Sequence, residues 1–374
     1  MLPGAKNWTM AQVWNTALVS KAERPAQERA RIWASELGKP NIELFLKMRG
    51  VEPSNPPNPR SKRKFEAGNM FEWIIGIVLK RAGILQEYQQ WVNYIYDGLL
   101  EVSGKIDYIA GGIPDYEHYR EELEALELPE FFMRASEAVM EHFKSKYPQG
   151  LMEMPLEIKS CSSFMMDSME RTGNASRNHR LQCFHYLKSK GYEKGNVVYI
   201  CRDDLRMLEV SVENPSEVEQ EYRQAIEEIT RYYNAHKNTP LEKFLIRPKE
   251  ADEIGADGKQ GVKYDWIPLE GLPPLERNIV WDLDLKKFAR NWGVEYSSYL
   301  TMLYGFQTQL EFEEAVMPTV SRWNRVLGRI KNDDKMTPKN LEVIKEMETE
   351  GFKPQELARE YAGGGAEEEE TNGK

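Results

Sequence analysis

An acid and an amine two residues apart, Glu157 and Lys159, stand in the short apolar run Pro155-Leu156-Glu157-Ile158-Lys159-Ser160. Read as a strand, this run sends Leu156 and Ile158 to one face and the two charged side chains to the other. Taken alone, it is most simply a half-exposed edge strand with an ion pair, because charged groups rarely enter an apolar strand. Residues elsewhere in the chain change that weighting. Asp107 interrupts the apolar strand end Ile106-Asp107-Tyr108-Ile109, where aspartate is a poor strand former. Glu72 sits in a helical pattern, and Gln182 and Tyr186, four apart, share a helix face. Acids on adjacent strands beside one amine suit metal-dependent phosphodiester hydrolysis. A hard divalent cation, Mg2+ or Mn2+, takes oxygen ligands, typically one or two carboxylates with waters and phosphate oxygens. It neutralises the phosphate and lowers the pKa of water. Asp107 and Glu157 can provide the acid pair, and the Ile158 backbone carbonyl a further oxygen. Lys159 can orient the attacking water or stabilise charge on the phosphate. A plain metal cage has no need of that amine.

The elements that must position these groups follow from periodicity. Phe65–Gly83 reads as the clearest helix, with Phe71, Ile74, Ile75, Val78 and Ala82 on one apolar face. The i+3 and i+7 neighbours of Glu72 are Ile75 and Leu79, which places it on the flank of that stripe. Two strands, Leu85–Tyr96 and Leu99–Ala110, turn at Asp97-Gly98. In the second, Val102, Gly104, Ile106 and Tyr108 are expected on one face, and Ser103, Lys105, Asp107 and Ile109 on the other. Tyr116–Lys146 reads as an inserted, acidic helical pair. After Lys159 comes a Met- and Ser-rich segment and then the helix Ala175–Lys190, stopped by Gly191. A hairpin follows, Asn196–Cys201 with Met207–Val212. A long helix then opens at Ser216, where Glu219 completes a capping box, and buries Val218, Tyr222, Ile226, Ile229 and Tyr233.

At the N-terminus, Trp8–Lys21, Pro25–Leu37 and Asn41–Met48 read as helices, the last ended by Gly50. The proline-rich Val51–Pro59 reads as a mobile loop leading into the basic run Arg60-Ser61-Lys62-Arg63-Lys64. Towards the C-terminus, Gly255–Gly261 reads as a loop, Leu285–Phe306 and Phe312–Ile330 as helices, and Thr337–Tyr361 as two short helices joined at Gly351. The tail Glu367-Glu368-Glu369-Glu370 reads as disordered. The expected organisation is a helical segment and loop over 1–60 and a catalytic core over 61–238 with a helical insert at 113–150. An aromatic-rich, mainly helical region over 239–335 is expected to pack on that core, and short helices with an acidic tail fill 336–374.

The 374 residues can bury a full core. No apolar run reaches the ~20 residues needed to span a bilayer, so no membrane partner is expected. Met1–Lys6 lacks the apolar segment of a signal peptide. Three cysteines, Cys161, Cys183 and Cys201, make no disulfide framework. The expected compartment is therefore a reducing cytoplasm. A net charge of −10 argues against coating nucleic acid non-specifically. Charge is uneven, however: Arg171–Arg206 holds eight Lys/Arg against three Asp/Glu, and Ile113–Met154 holds ten acidic against four basic residues. A local basic channel for a polyanion and a solvated basic face both agree with that pattern.

The order Asp107, then Glu157-Ile158-Lys159, resembles the signature of the PD-(D/E)XK nuclease superfamily. Gln182 and Tyr186 resemble the Q-x-x-x-Y motif of its RecB-like branch. Ser35-Glu36-Leu37-Gly38-Lys39-Pro40, Arg49-Gly50-Val51-Glu52-Pro53 and Gly68-Asn69-Met70-Phe71-Glu72-Trp73-Ile74 resemble the N-terminal half of CRISPR-associated adaptation nucleases and their viral relatives. The resemblance covers Ser35 to Val212 and extends faintly to Phe306. It implies an α/β (α+β) fold with a restriction-endonuclease-like central mixed sheet flanked by helices, and helical N-terminal, inserted and C-terminal segments.

The sequence departs from that branch at two places. The branch usually has a histidine where Glu72 stands, although related exonucleases resembling the phage lambda enzyme use glutamate, a good oxygen ligand. An iron–sulfur cluster needs four cysteines. The first would fall near Lys39. Trp292-Gly293-Val294-Glu295-Tyr296-Ser297-Ser298-Tyr299 resembles W-x-C-x-Y-C-x-Y with Val294 and Ser297 in the cysteine places. A cluster-free form is expected, stapled by packing of Trp292, Tyr296 and Tyr299.

The resemblance implies a Mg2+- or Mn2+-dependent deoxyribonuclease. Glu72, Asp107, Glu157 and the Ile158 carbonyl would hold metal, Lys159 would assist the water, and Gln182 and Tyr186 would position the strand. Arg177, His179 and Arg180 would contact the DNA backbone. It favours an exonuclease on DNA ends with single-strand preference, in viral/phage or mobile-element replication, recombination or repair, with a recombination or replication protein as a further partner. A structure-specific endonuclease, a nuclease active only within a larger complex, and a non-catalytic DNA-binding or assembly subunit are the alternatives.

Overall fold

Apolar alternation over 85–112 and 151–213 builds a six-stranded mixed sheet. In this computed structural model the described residues are Met10, 25–115, 117–127, 130–213, 216–240, 278–282 and 285–362. The chain divides into two compact units, 1–52 with 57–238, and 53–56 with 239–374.

The first unit contains β1 (Arg31–Trp33), α1 (Asn41–Met48), α2 (Pro59–Arg81), β2 (Leu85–Ile95), β3 (Glu101–Gly112), α3 (Glu117–Ala125), α4 (Glu130–Lys146), β4 (Leu151–Cys161), α5 (Ser163–Thr172), α6 (Arg177–Lys190), β5 (Lys194–Cys201), β6 (Met207–Glu213) and α7 (Ser216–His236). Strands β2 and β3 form an antiparallel hairpin. Its turn places Asp97 and Gly98 at φ 47° and 73°, the left-handed pair that a two-residue hairpin turn needs. β4 and β5 are parallel and joined through α5 and α6. α6 covers one face of the sheet, and α2 covers the other with a core of Ile75, Leu79, Leu85, Tyr108, Ala110, Ile158, Val198 and Ile200. This is the mixed, helix-flanked, restriction-endonuclease-like arrangement expected.

The sheet is forked. β2 occupies one edge of β3 along nearly all its length. β1 and β4 therefore share the other edge. β1 pairs with Glu101–Ser103, and β4 joins only from Tyr108 onward. Residues 104–107 of β3 lie in the gap between them.

Several expectations are corrected. Residues 31–36 are strand β1 and a single 3-10 turn, not helix. Ile32 is fully buried there, and pairing with β3 outweighs local helical spacing. Helix α2 begins at Pro59 and so includes the basic run. Asn58 caps it by accepting from Ser61 N at 2.8 Å, and proline suits the first helical position. The Met/Ser-rich segment is itself helix α5. The first expected helix, Trp8–Lys21, lies outside the described residues apart from Met10, as do the loop Gly255–Gly261 and the acidic tail. Helix α7 begins at Ser216 as expected, but the Ser216 side chain is not described, so the capping box is not tested.

The second unit contains the hairpin β7 (Ile279–Asp282) and β8 (Lys287–Arg290), then α8 (Trp292–Glu295), α9 (Leu300–Tyr304), α10 (Gln309–Lys331), α11 (Pro338–Thr349) and α12 (Pro354–Glu360). The helix expected over Leu285–Phe306 is thus a strand followed by two short helices. Its core stacks Phe288, Trp323 and Phe352 edge to face at 4.9–5.6 Å. The proline-rich loop is held rather than free: Asn55 donates to Ser298 O and accepts from Thr301 N, and Ser54 accepts from Met302 N. Val294 and Ser297 are buried, as is Tyr299, whereas Tyr296 is 56% exposed. The Trp292 side chain is outside the described residues.

Candidate active site

The β3–β4 ladder stops at the pair Tyr108 and Leu156, so Asp107 and Glu157 face each other where the strands part. Backbone groups freed at a fork need partners. Asp107 supplies one: its Oδ2 accepts from Ile158 N at 2.8 Å. A strand residue points its N–H and C=O the same way, so the Ile158 carbonyl also turns toward the fork. Leu156 and Ile158 pack on the α2 side, which sends Glu157 and Lys159 to the α6 side. The Glu157 carboxylate is 1% exposed and bonded through Oε1 to the Lys159 ammonium. Its Oε2 is buried without a hydrogen-bond partner. Tyr186 Oη stands near this carboxylate, but its one proton is committed to Lys105 O at 2.9 Å, while Gln182 Nε2 donates to it at 2.8 Å. Gln182 and Tyr186 thus brace the open stretch of β3.

Charge is concentrated at this fork. Burial, and then the neighbouring Glu157, push the Asp107 carboxyl well above the usual range. Burial opposes the charge on Lys159, but Glu157 and then Asp107 outweigh it and hold the ammonium above the usual lysine range. Glu72 arrives on α2. Gly68 and Gly76 lie one helical turn to either side of it, close to Ser160 Oγ and Tyr108. A Cβ at Gly76 would sit 2.5 Å from Tyr108 Oη, which donates to Glu72 O at 2.7 Å. Glu72 therefore lies on the sheet-facing row. Ile74 and Val78, expected in the apolar stripe, are exposed, and the buried face is Ile75, Gly76 and Leu79. Burial pushes the Glu72 carboxyl up, Lys105 pulls it down, and Glu157 pushes it up again.

The structure brings Asp107, Glu157, Lys159, Gln182 and Tyr186 together. Glu72 approaches from the opposite face, where its carboxylate accepts from Gln89 Nε2. Among the described residues, no group of three or more His, Cys, Asp or Glu side chains is disposed to hold a metal ion.

Strand alternation breaks at the site. Gly104 is met by Tyr186 and His185 of α6, with a built Cβ 2.8 Å from Tyr186 Cε1, whereas Tyr108 meets α2. The expected common face of Gly104 and Tyr108 is therefore wrong: β3 turns over between them. Across the hairpin, Gln89 is the residue opposite Asp107, and its φ of 54° is left-handed in mid-strand. A non-glycine residue there is strained. Sequence reasoning missed Gln89 and Lys105. A lysine two residues before Asp107 in an apolar strand was a readable signal, but nothing in the residue type marks the backbone of Gln89.

The expected backbone-binding trio is engaged elsewhere. Arg177 and Arg180 each donate to Glu221 at 2.7 Å. His179 Nδ1 lies 2.9 Å from Tyr199 Oη, which also accepts from Ser176 N. Burial, then Lys159, push the His179 pKa down to about 3, leaving a neutral ring with no charge for a phosphate. The three cysteines are buried and free.

Neither a protein-family model nor a curated protein matches the chain. Among solved structures, one titled SSO0001 is 16% identical, covers 61% of this chain and 88% of its own, and has a TM-score of 0.37. An alkaline exonuclease, LHK-Exo from Laribacter hongkongensis, is 13% identical over 60% of this chain and 96% of its own, with a TM-score of 0.32. The same enzyme in complex with dAMP gives 12%, 62%, 97% and 0.35. Likeness at this level carries no assignment of activity.

Proposed function

We propose that the protein is a divalent-metal-dependent DNA nuclease acting on DNA ends, with single-strand preference. The observation that carries the reading is the buried Glu157 carboxylate, with Oε2 unpartnered beside a carboxyl held above its usual range. An unpaired buried carboxylate oxygen is costly. Oxygen donors crowded together with one amine fit a hard cation and not a closed ion pair. Asp107, Glu157 and the Ile158 carbonyl would hold Mg2+ or Mn2+, with Glu72 as a further acid reaching the fork from α2. When bound, the ion supplies neutralisation of the phosphate and a more acidic water. Lys159 stays protonated and offers its ammonium to the negative charge that builds on the phosphate. Gln182 and Tyr186 fix the β3 backbone behind the acids. Work in viral or mobile-element DNA replication, recombination or repair, with a partner protein from such a complex, agrees with the sequence resemblance.

The test is incubation of end-labelled single- and double-stranded DNA with Mg2+, Mn2+ or EDTA. Metal-dependent release of nucleotides is expected, with single strands degraded faster, and Asp107→Ala is expected to abolish it. Circular substrates separate exonuclease from structure-specific endonuclease action. A second reading, a DNA-binding subunit that does not cut, is favoured by the absence of a three-acid cluster among the described residues. It requires metal-independent binding with no release.

A further inference from the structure

The α2 side of the sheet carries a second group of residues that the acids leave unexplained. Trp91, at the middle of β2, is 63% exposed. Its ring centroid lies 5.7 Å from that of Trp33 on β1. The guanidinium groups of Arg29 and Arg31 stand 5.1 and 4.9 Å from the Trp33 ring centre. Single exposed apolar residues on a surface are ordinary, but two tryptophans in contact with two arginines are not scattered residues. Arg29 is committed to Glu36 at 2.6 Å. Arg31 is exposed and makes no ion pair among the described residues, and neither does Lys105.

Register places this group beside the fork. Trp91 pairs with Lys105 across the hairpin, and paired residues share a face. Gly104 faces α6, so Lys105 points to the α2 side, in keeping with its charge acting on Glu72. Lys105 is two residues from Asp107, ~7 Å along the strand. An open indole face, two uncommitted cations and a short path to the acids are thus aligned on one surface.

We propose that Trp91, backed by Trp33 and flanked by Arg31 and Lys105, is a stacking platform for a base of single-stranded DNA, with the two cations taking the adjoining phosphates; what lies beyond it rests on the nuclease reading. An indole face stacks on any base, and so gives affinity without sequence preference. A duplex hides its base faces and can use only the cations. The unpaired positive charge beside the rings favours a polyanion over an apolar peptide.

Binding of fluorescent oligo-dT by the full chain, in EDTA so that nothing is cut, tests the platform. Trp91→Ala is expected to weaken single-strand binding roughly tenfold or more, while Trp91→Phe retains most of it and duplex binding changes little. Arg31→Ala is expected to reduce the slope of log affinity against log salt by about one. Unchanged oligo-dT affinity in Trp91→Ala, or an equal loss on duplex, would overturn the platform. Failure of wild type to bind oligo-dT would do the same. The two readings separate in parallel Mn2+ assays on wild type. Trp91-dependent binding without nucleotide release sinks the nuclease and leaves the platform. Release with Trp91-independent binding sinks the platform and leaves the nuclease.

Discussion

The two faces of the forked sheet are built to opposite rules. On the α6 face a network behind the acids is closed within the protein, although Glu157 Oε2 itself has no partner: Gln182 bonds Tyr186, Tyr186 bonds Lys105 O, His185 meets Tyr222, and His179 reaches Ser176 through Tyr199. His185 is fully buried, and Tyr222 Oη sits 2.8 Å from its Nδ1. On the α2 face, Lys105 and Arg31 are uncommitted among the described residues, Glu72 is held by a strained strand residue, and Phe65, Trp73 and Trp91 are exposed. Satisfied networks rigidify, and unsatisfied polar groups mark where a ligand enters. The α6 network is therefore the support behind Glu157, whose open oxygen marks the candidate site itself, and the α2 face carries the groups left for an approach.

Changes on the support should cost the most. Gly104 admits the Tyr186 ring, and a side chain there would press on it. Gly104→Val is expected to destabilise the fold by about 1–3 kcal/mol through overpacking and to lower the melting temperature, along with loss of nuclease activity. An unchanged melting temperature would mean that Tyr186 is not braced against β3. The next effect is on pH dependence. Burial pushes His185 down to about 3, from an ordinary value near 6.5. The folded state binds fewer protons than the unfolded chain across that window. The contribution of His185 is therefore present above pH ~6.5 and lost as pH falls toward 3, at about 1.4 kcal/mol per pH unit. Urea titrations at pH 7.5 and 5.0 should show a shallower acid loss in His185→Gln than in wild type.

The smallest effect on stability, and the sharpest contrast between the faces, is expected at Gln89. Gln89→Gly accepts the positive φ without strain but removes the amide from Glu72. Stability should stay the same or rise slightly, by under about 1 kcal/mol, while Mn2+ affinity falls. A clear fall in stability would place Gln89 with the structural residues of the other face.

Much of the support was legible in the sequence, and little of the approach was. The hairpin turn at Asp97-Gly98, the strand around Glu157 and the Gln182/Tyr186 helix follow from short-range periodicity and turn chemistry. Strand β1 did not, because three residues joining a distant edge leave no periodic trace and their helical spacing reads more strongly. The buried row of α2 was misassigned because its sheet-facing positions are Gly68, Glu72 and Gly76, small or charged, whereas Ile74 and Val78 are exposed. The turn-over of β3 at Asp107 needs a paired break on β2, and a glutamine with positive φ looks like any other glutamine. Asp107 could be singled out as a misfit in its strand. What the misfit does, capping Ile158 N at the parting of two strands, needed the register.

In the proposed nuclease, Lys159 does chemistry and is more than a counter-ion for Glu157. Nucleotide release from end-labelled single-stranded DNA with Mn2+ should be compared between wild type and Lys159→Met, with melting temperature measured alongside. Metal-dependent release by wild type and loss of release in a folded Lys159→Met are expected. Release at the wild-type rate by that variant would contradict this role of Lys159.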